Sequence, residues 1–344
     1  MMIFDDSDPI GEFDVIRRFF SRKEFTPCNR SDALSPIFLG IGDDCALLNS
    51  PPAGEVLAIT SDMLVEDRHF FKDISPNLLG HKCLAVNLSD LAAMGAKPLA
   101  YTLSISLPKI DIVWLEAFSK GLHAIADHYG CALIGGDTTA GPLTIAITAI
   151  GAVKPGQVLR RDGAKIGDDI WVSNTLGDAR LVLGFRRGEW HMDLPWQSLS
   201  HRMDTPTPRI NLGLALRGLA HSAIDVSDGL LGDLHHILKK SEVSANIWLD
   251  EVPCSPLLDE VSEELRRLCT LQGGDDYELC FTAPPAHRES IVALSSQLGL
   301  PLTRIGEITA HQLDQPRITL LDQDHAPLPE HLAEHYMRSF DHFK

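Results

Sequence analysis

The sequence predicts a two-domain protein of mixed α/β and α+β class, each half built of strands and helices around its own core. With 344 residues, the chain exceeds the roughly 250–300 residues at which a single core stops growing. Strand-like and helix-like segments alternate along it. The segment 154–168, KPGQVLRRDGAKIGD, gathers proline, glycine and charge between periodic stretches, as a domain boundary does. Domains 1–153 and 154–344 follow.

In chain order, residues 56–61 (VLAITS) have the apolar character of a buried strand and bring Asp62 to its end. Residues 76–95 open at the Ser75-Pro76 pair, carry apolar residues at helical spacing and stop at Gly95, which places Asp90 on a helix or near its end. A strand is expected at 99–107, then a helix over 111–129 that opens on Asp111 and stops at Gly130. The strand-like run CALI delivers the chain to Gly135-Gly136-Asp137-Thr138-Thr139, and 143–153 alternates like a half-buried strand. The second half reads as strands at 169–174 and 245–250 with helices at 208–220, 228–240 and 257–268. Residues 187–204 read as an irregular connection, and no long repeat is visible.

Composition bounds the partners. The formal net charge of -17 and the lack of a basic block disfavour nucleic acid and anionic membrane surfaces. A polyphosphate remains possible where divalent metal separates the negative charges. Seven cysteines without a C-x-x-C pair read as reduced, buried, small hydrophobes of a cytosolic protein. The acidic N-terminus MMIFDDSDPI is unlike a signal peptide, and the run Leu143 to Val153 is too short to span a bilayer, so a cytoplasmic location is expected.

The chemistry-bearing signals are aspartates: Asp43 and Asp44 in GIGDD, Asp62 in TSD, Asp90 in NLSD, Asp137 in GGD, Asp225 and Asp228 in DVSDG, and Asp275 and Asp276 in GGDD. Singly, each is explained by a turn or a helix N-cap, and Asp228 before GLLGDLHHILKK suits an N-cap. Together they gather at strand ends or beside glycine pairs, where ligand sites of α/β proteins form. Carboxylates with the hydroxyls of Thr60, Ser61 and Ser227 suit Mg²⁺, which takes one or two carboxylates, waters and substrate phosphates. The P-loop, nucleophile-elbow, H-E-x-x-H and EF-hand patterns are absent, and GIGDDC misses the dinucleotide pattern at its last position. Among 15 histidines, His69 in VEDRHFF stands out because it follows Asp62 on one segment.

The ordered set GIGDDCALL, TSDMLVEDRHF, HKCLAVNLSDLAAMGAKP, LIGGDTT, the Arg-Asp-Gly-Ala-Lys turn, SAIDVSDGL and GGDDYELCF resembles the bacterial thiamine-monophosphate kinases, of the aminoimidazole-ribonucleotide synthetase-like superfamily, from about Gly11 to Phe343. The resemblance implies ATP- and Mg²⁺-dependent transfer of the γ-phosphoryl group to thiamine monophosphate. It implies metal ligation by Asp44, Thr60, Ser61, Asp62, Asp90, Asp137, Asp225 and Asp228, with Asp43 as an additional contributor. Gly136, Asp137, Arg161 and Ser227 would contact ATP. His69, Asp275 and Phe340 would face the thiamine substrate, while Asp44, Asp228 and Arg161 would carry the transfer. The implied fold is a homodimer whose N-terminal halves share a β-barrel, with the C-terminal α+β half packed against it. At the substrate end the family pattern Gly-Gly-Glu-Asp-Tyr-Glu becomes Gly273-Gly274-Asp275-Asp276-Tyr277-Glu278, one methylene shorter at Asp275. The rival readings are another ATP-dependent enzyme of the superfamily and a non-catalytic nucleotide-binding relative.

Overall fold

The computed structural model describes residues 11–21, 35–41, 45–313 and 315–337. It comprises two compact units, Met1–Asn87 with Pro98–Ala152, and Leu88–Lys97 with Val153–Lys344. The sequence reading assigned all of 76–95 to the first half. Residues 88–97 go with the second because Ser89 donates to Asp225 at 2.7 Å and Arg217 donates to the Gly95 carbonyl at 2.6 Å.

The chain first forms α1 (Glu12–Val15), β1 (Ile37–Leu39), β2 (Leu47–Leu48), β3 (Val56–Val65), α2 (Pro76–Ala93), β4 (Lys97–Leu107), α3 (Ile112–Tyr129), β5 (Ala132–Ala140) and β6 (Thr144–Val153). The four long strands make one sheet in the order β3-β6-β4-β5, with β4 and β5 parallel. Helix α3 starts where expected because the Asp111 side chain accepts the Trp114 N–H at 3.1 Å, and it stops at Gly130, φ 64°. Two expectations need correction. Asp62 lies inside β3 rather than at a strand end, and the GGDTT residues continue β5 rather than leave it. Both are edge strands, which need only one row of backbone partners and so tolerate glycine and charge.

Beyond residue 153 come β7 (Asp169–Ser173), α4 (Asp178–Arg186), α5 (Ser200–Asp204), α6 (Ile210–Ala215), β8 (Ser222–Asp225), α7 (Leu230–Ser241), β9 (Val243–Trp248), α8 (Pro256–Asp259), α9 (Glu263–Gln272), β10 (Leu279–Ala283), α10 (Arg288–Leu298), β11 (Leu302–Ala310), β12 (Ile318–Leu321) and α11 (Glu330–Tyr336). The six strands form a sheet in the order β12-β9-β11-β7-β10-β8, antiparallel except for the β12–β9 pair. Helix α7 lies on it with Leu230, Leu231, Leu234, Ile237 and Leu238 in the core and His235, His236, Lys239 and Lys240 outward, the 3.6-residue periodicity of an amphipathic helix. The helix expected over 257–268 is two, because Ser255 and Ser262 each cap a separate start, accepting the N–H of Leu258 and Leu265.

Four thiols, Cys83, Cys131, Cys269 and Cys280, are buried as expected, and burial pushes those of Cys131 and Cys269 up to about 12. Cys45 is exposed and Cys254 half-buried, contrary to the uniform expectation. Among the described residues no helix is long and apolar enough to cross a membrane.

Strand β7 opens on Asp169, only 2% exposed. Arg288 reaches it with Nε and Nη2 at 2.6 and 2.7 Å, and Arg304 with Nη1 at 3.1 Å. Burial alone would lift this carboxyl; the two guanidiniums outweigh that and hold it below its ordinary 3.8. Asp169→Asn should cost about 1–2 kcal/mol at neutral pH, since the partners are partly solvated. A depressed folded pKa gives stability present above the unfolded value and lost as pH falls through the folded one. Melting curves from pH 7 to 3 should therefore show the parent–variant gap closing below about pH 4.

Candidate active site

In the first unit the period-two alternation of β3 puts Thr60 and Asp62 on one face and Ser61 on the other. The Ser61 hydroxyl meets Thr148 Oγ1 at 3.0 Å and donates to the Ile147 carbonyl on β6. The Asp62 N–H donates to Asn87 Oδ1 at 3.2 Å. His69 follows on the turn after β3, where Nδ1 accepts the Val65 N–H at 3.0 Å; a neutral imidazole then carries its proton on Nε2.

Asp137 is exposed near the middle of β5. The register pairs Tyr101 with Leu133 and Thr102 with Gly135, leaving Ile134 as one extra residue, a β-bulge that re-aims the side chains after it. Gly136, at φ +145°, presses against β4 so closely that a Cβ would lie 1.7 Å from the Leu103 carbonyl oxygen. Only glycine fits there.

In the second unit two loops carry the remaining acids. Asp225 ends β8, is 4% exposed and accepts the Ser89 hydroxyl at 2.7 Å. The next residues, Val226 to Gly229, lie against the GGDDYE segment: the Asp275 N–H donates to the Ser227 carbonyl at 2.9 Å and the Tyr277 N–H to the Val226 carbonyl at 2.8 Å. Asp228 is exposed and Ser227 half-buried. The N-cap of α7 is Gly229, so Asp228 does not have the N-cap role that its sequence position suited. Asp90 is half-buried on α2.

Along GGDDYE the roles alternate. Asp276 is buried with both carboxylate oxygens on the Gly177 N–H, and burial lifts its pKa well above the ordinary value. Glu278, 1% exposed, accepts from Ser173, Asn174, Arg202 and Arg209. Just before them, Asp275 stays half-buried in a left-handed conformation, φ 66°, and accepts the Tyr277 hydroxyl at 2.9 Å. Asp is far more at ease than Glu at positive φ, a local reason for the shorter acid.

Arg161 is exposed on the turn after residue 158. Ser241, at the end of α7, holds that turn by donating to the Arg161 carbonyl at 2.9 Å and accepting the Ala164 N–H at 3.1 Å. His236 titrates below its ordinary range, first from burial and then from the Arg161 guanidinium, with Asp228 opposing. Arg161 and Asp228 thus act on one imidazole.

Asp43, Asp44 and Phe340 lie outside the described residues. Among the described residues, no three His, Cys, Asp or Glu side chains gather as a metal centre. Sequence reasoning missed Ser89, Asn87 and above all Asp233. Burial lifts the Asp233 carboxyl to about 7, against three backbone N–H donors that lower it. Its signal was the acid in GLLGDL, one helical turn past the DVSDG loop.

Residues 42–153 match the model for AIR synthase related protein, N-terminal domain, and 165–318 that for the C-terminal domain. The chain is thus a two-domain protein of the AIR synthase-related class. Within it, the thiamine-monophosphate kinase of Escherichia coli (strain K12) is 47% identical over 305 residues, covering 87% of this chain and 91% of that one. Among solved structures, thiamine-monophosphate kinase from Stenotrophomonas maltophilia K279a is 49% identical at a TM-score of 0.77, covering 84% of this chain and 92% of that one. AaThiL complexed with AMPPCP and TMP is 26% identical at 0.72, covering 86% and 90%. The chain belongs to the thiamine-monophosphate kinase family.

Gly136→Ala should separate β5 from β4, destabilising the protein by about 2–3 kcal/mol with a matching fall in melting temperature, whereas Gly54→Ala, with no heavy atom within 4 Å of the added methyl, should cost less.

Proposed function

We propose that this chain transfers the γ-phosphoryl group of ATP in line to the phosphate of thiamine monophosphate, giving thiamine diphosphate and ADP, the last step of thiamine diphosphate formation. The carrying observation is family membership over nearly nine-tenths of the chain, joined to loops that hold acids by backbone contacts. The relative AaThiL was solved with AMPPCP and TMP bound, which supports a nucleotide and a thiamine phosphate as the two substrates. An acceptor phosphate has a second pKa near 6 and is already largely ionised at neutral pH, so no general base is assigned. The work is positioning and charge neutralisation.

The donor set fits Mg²⁺: hard oxygens, an exposed Asp228, and Asp225 with one oxygen already oriented by Ser89. That no three-acid cluster forms among the described residues is compatible, because Mg²⁺ needs only one or two carboxylates besides water and phosphates. As the family resemblance implies, Thr60, Ser61, Asp62, Asp90, Asp137, Asp225 and Asp228 are the assigned holders, with Asp44 and Asp43. Bound there, Mg²⁺ would supply positive charge that offsets the charge of the phosphates. Arg161 meets the polyphosphate as a planar fork, Gly136 and Ser227 contact ATP, and His69, Asp275 and Phe340 orient the thiamine moiety. A cytoplasmic site of action is inferred from substrate and charge.

A homodimer is assigned to the first unit. Its edge strand β3 exposes Leu57, Ile59 and Met63, at 40%, 65% and 58%, on one face. Such an exposed strip on an edge strand, apolar except for Ser61 between Ile59 and Met63, is an interaction surface or a liability, and a second copy building a shared barrel covers it. Ile59→Glu should shift the protein from dimer to monomer in light scattering; an unchanged mass would remove this assignment.

The activity is tested by incubating the purified chain with ATP, Mg²⁺ and thiamine monophosphate and following thiamine diphosphate. Turnover of a ribonucleotide instead would favour another enzyme of the superfamily, and tight ATP binding without product a non-catalytic relative. Asp228→Asn, nearly isosteric and exposed, should lower kcat by about 100-fold or more with an unchanged melting temperature.

A further inference from the structure

Helix α7 starts without a side-chain cap, since its N-cap is Gly229 at φ 120°. The N–H groups of Ser227, Asp228 and Gly229 converge instead on one atom, Oδ2 of Asp233, at 3.0, 3.0 and 3.1 Å. Asp233 sits in the first turn of α7 and is 3% exposed. Three successive backbone donors aimed at one point form the concavity that in other proteins receives a phosphate. Here the chain fills it with its own carboxylate.

A helix cap serves donors of the helix's first turn. These three donors precede Leu230, so the bonds order the loop rather than the helix. That loop carries Asp228 and Ser227 and follows directly from Asp225. Its other side is fixed by the Asp275 and Tyr277 N–H groups, and the Ser89 hydroxyl fixes Asp225.

We propose that Asp233 is the positioning residue for the carboxylates of the 225–228 segment: by occupying the backbone nest it presets Asp225 and Asp228 for a divalent cation and denies the nest to phosphate. Nucleotide charge is then met through cations at Asp225 and Asp228 and through Arg161, not through the N-terminus of α7. The proposal rests on the metal-dependent reading above.

The test uses the full chain with Mn²⁺ as probe, its free concentration read by electron paramagnetic resonance, beside steady-state kinetics and circular dichroism. Asp233→Ala should bind Mn²⁺ about tenfold more weakly, the usual range for losing a supporting contact behind a metal ligand. It should also raise the Mg²⁺ needed for half-maximal rate while leaving KM for thiamine monophosphate unchanged. Asp233→Asn, which keeps an acceptor oxygen, should stay within about threefold of the parent. Asp233→Glu keeps the charge but pushes the loop, and should weaken Mn²⁺ binding as the alanine variant does; it carries the test where Asp233→Ala does not fold. Parent-like Mn²⁺ affinity in a folded Ala or Glu variant overturns the proposal, as does a parent that binds no Mn²⁺. A parent that binds Mn²⁺ but makes no thiamine diphosphate overturns the functional reading and leaves the positioning role standing.

Discussion

The second unit depends on one backbone-to-backbone seam, in which residues 226–229 lie against residues 272–278. The Val226 N–H donates to the Glu278 carbonyl and the Tyr277 N–H returns to the Val226 carbonyl, each at 2.8 Å. Gly229 and Gly274 allow the approach: a Cβ on either would lie 2.6 Å from the Gln272 carbonyl oxygen or 2.3 Å from that of Ser227. A shift of either strand of the seam would move Asp225, Asp228 and Asp275 together, so the geometry of the acids is a property of the seam.

What holds the seam is charge buried beneath it. Glu278 accepts from both Arg202 and Arg209, and Asp178 accepts the Ser255 hydroxyl at 2.5 Å with Arg202 Nε 3.5 Å away. Burial first, then the neighbouring acids Asp178 and Glu278, raise the pKa of Asp276 against the Gly177 N–H and the Arg202 charge that lower it. Such buried networks add little net stability over an apolar core, yet removing one member leaves an unpaired charge. Arg202 comes from α5 within the stretch 187–204, whose aperiodic sequence gave it no assigned role; it supplies one of the two cations under the acid-bearing loop.

The sequence made the long elements legible, because α3 has its Asp111 cap and Gly130 stop and α7 its apolar face, all local signals. Less legible were features set by tertiary context. Strand β3 runs past Asp62 because its partner β6 continues, and the 257–268 helix divides because two serines compete as caps. The chemistry was legible at the level of residue type: the aspartates were singled out in order. Their support was not, since Ser89 lies 136 positions from Asp225, and nothing local announces that bond. Asp233 was hidden differently, as an ordinary acid in the first turn of a helix, where the macrodipole alone explains it.

Glycine beside aspartate first reads as turn chemistry, and in this fold the pairing has another cause. Gly136 precedes Asp137, Gly274 precedes Asp275 and Gly229 follows Asp228. In all three a Cβ would collide with a neighbouring carbonyl oxygen, that of Leu103, Ser227 or Gln272. The glycine brings two backbones together, and the adjacent aspartate stays exposed or half-buried at the contact. Its carboxylate is then anchored by a paired main chain rather than by a flexible loop, which limits the reorganisation needed when a cation or a phosphate arrives. On that physical ground a Gly-Asp pair within a strand, or flanking one, carries more information than the same pair in a turn. The turn needs only conformational freedom, whereas the contact needs the missing Cβ and the charge together.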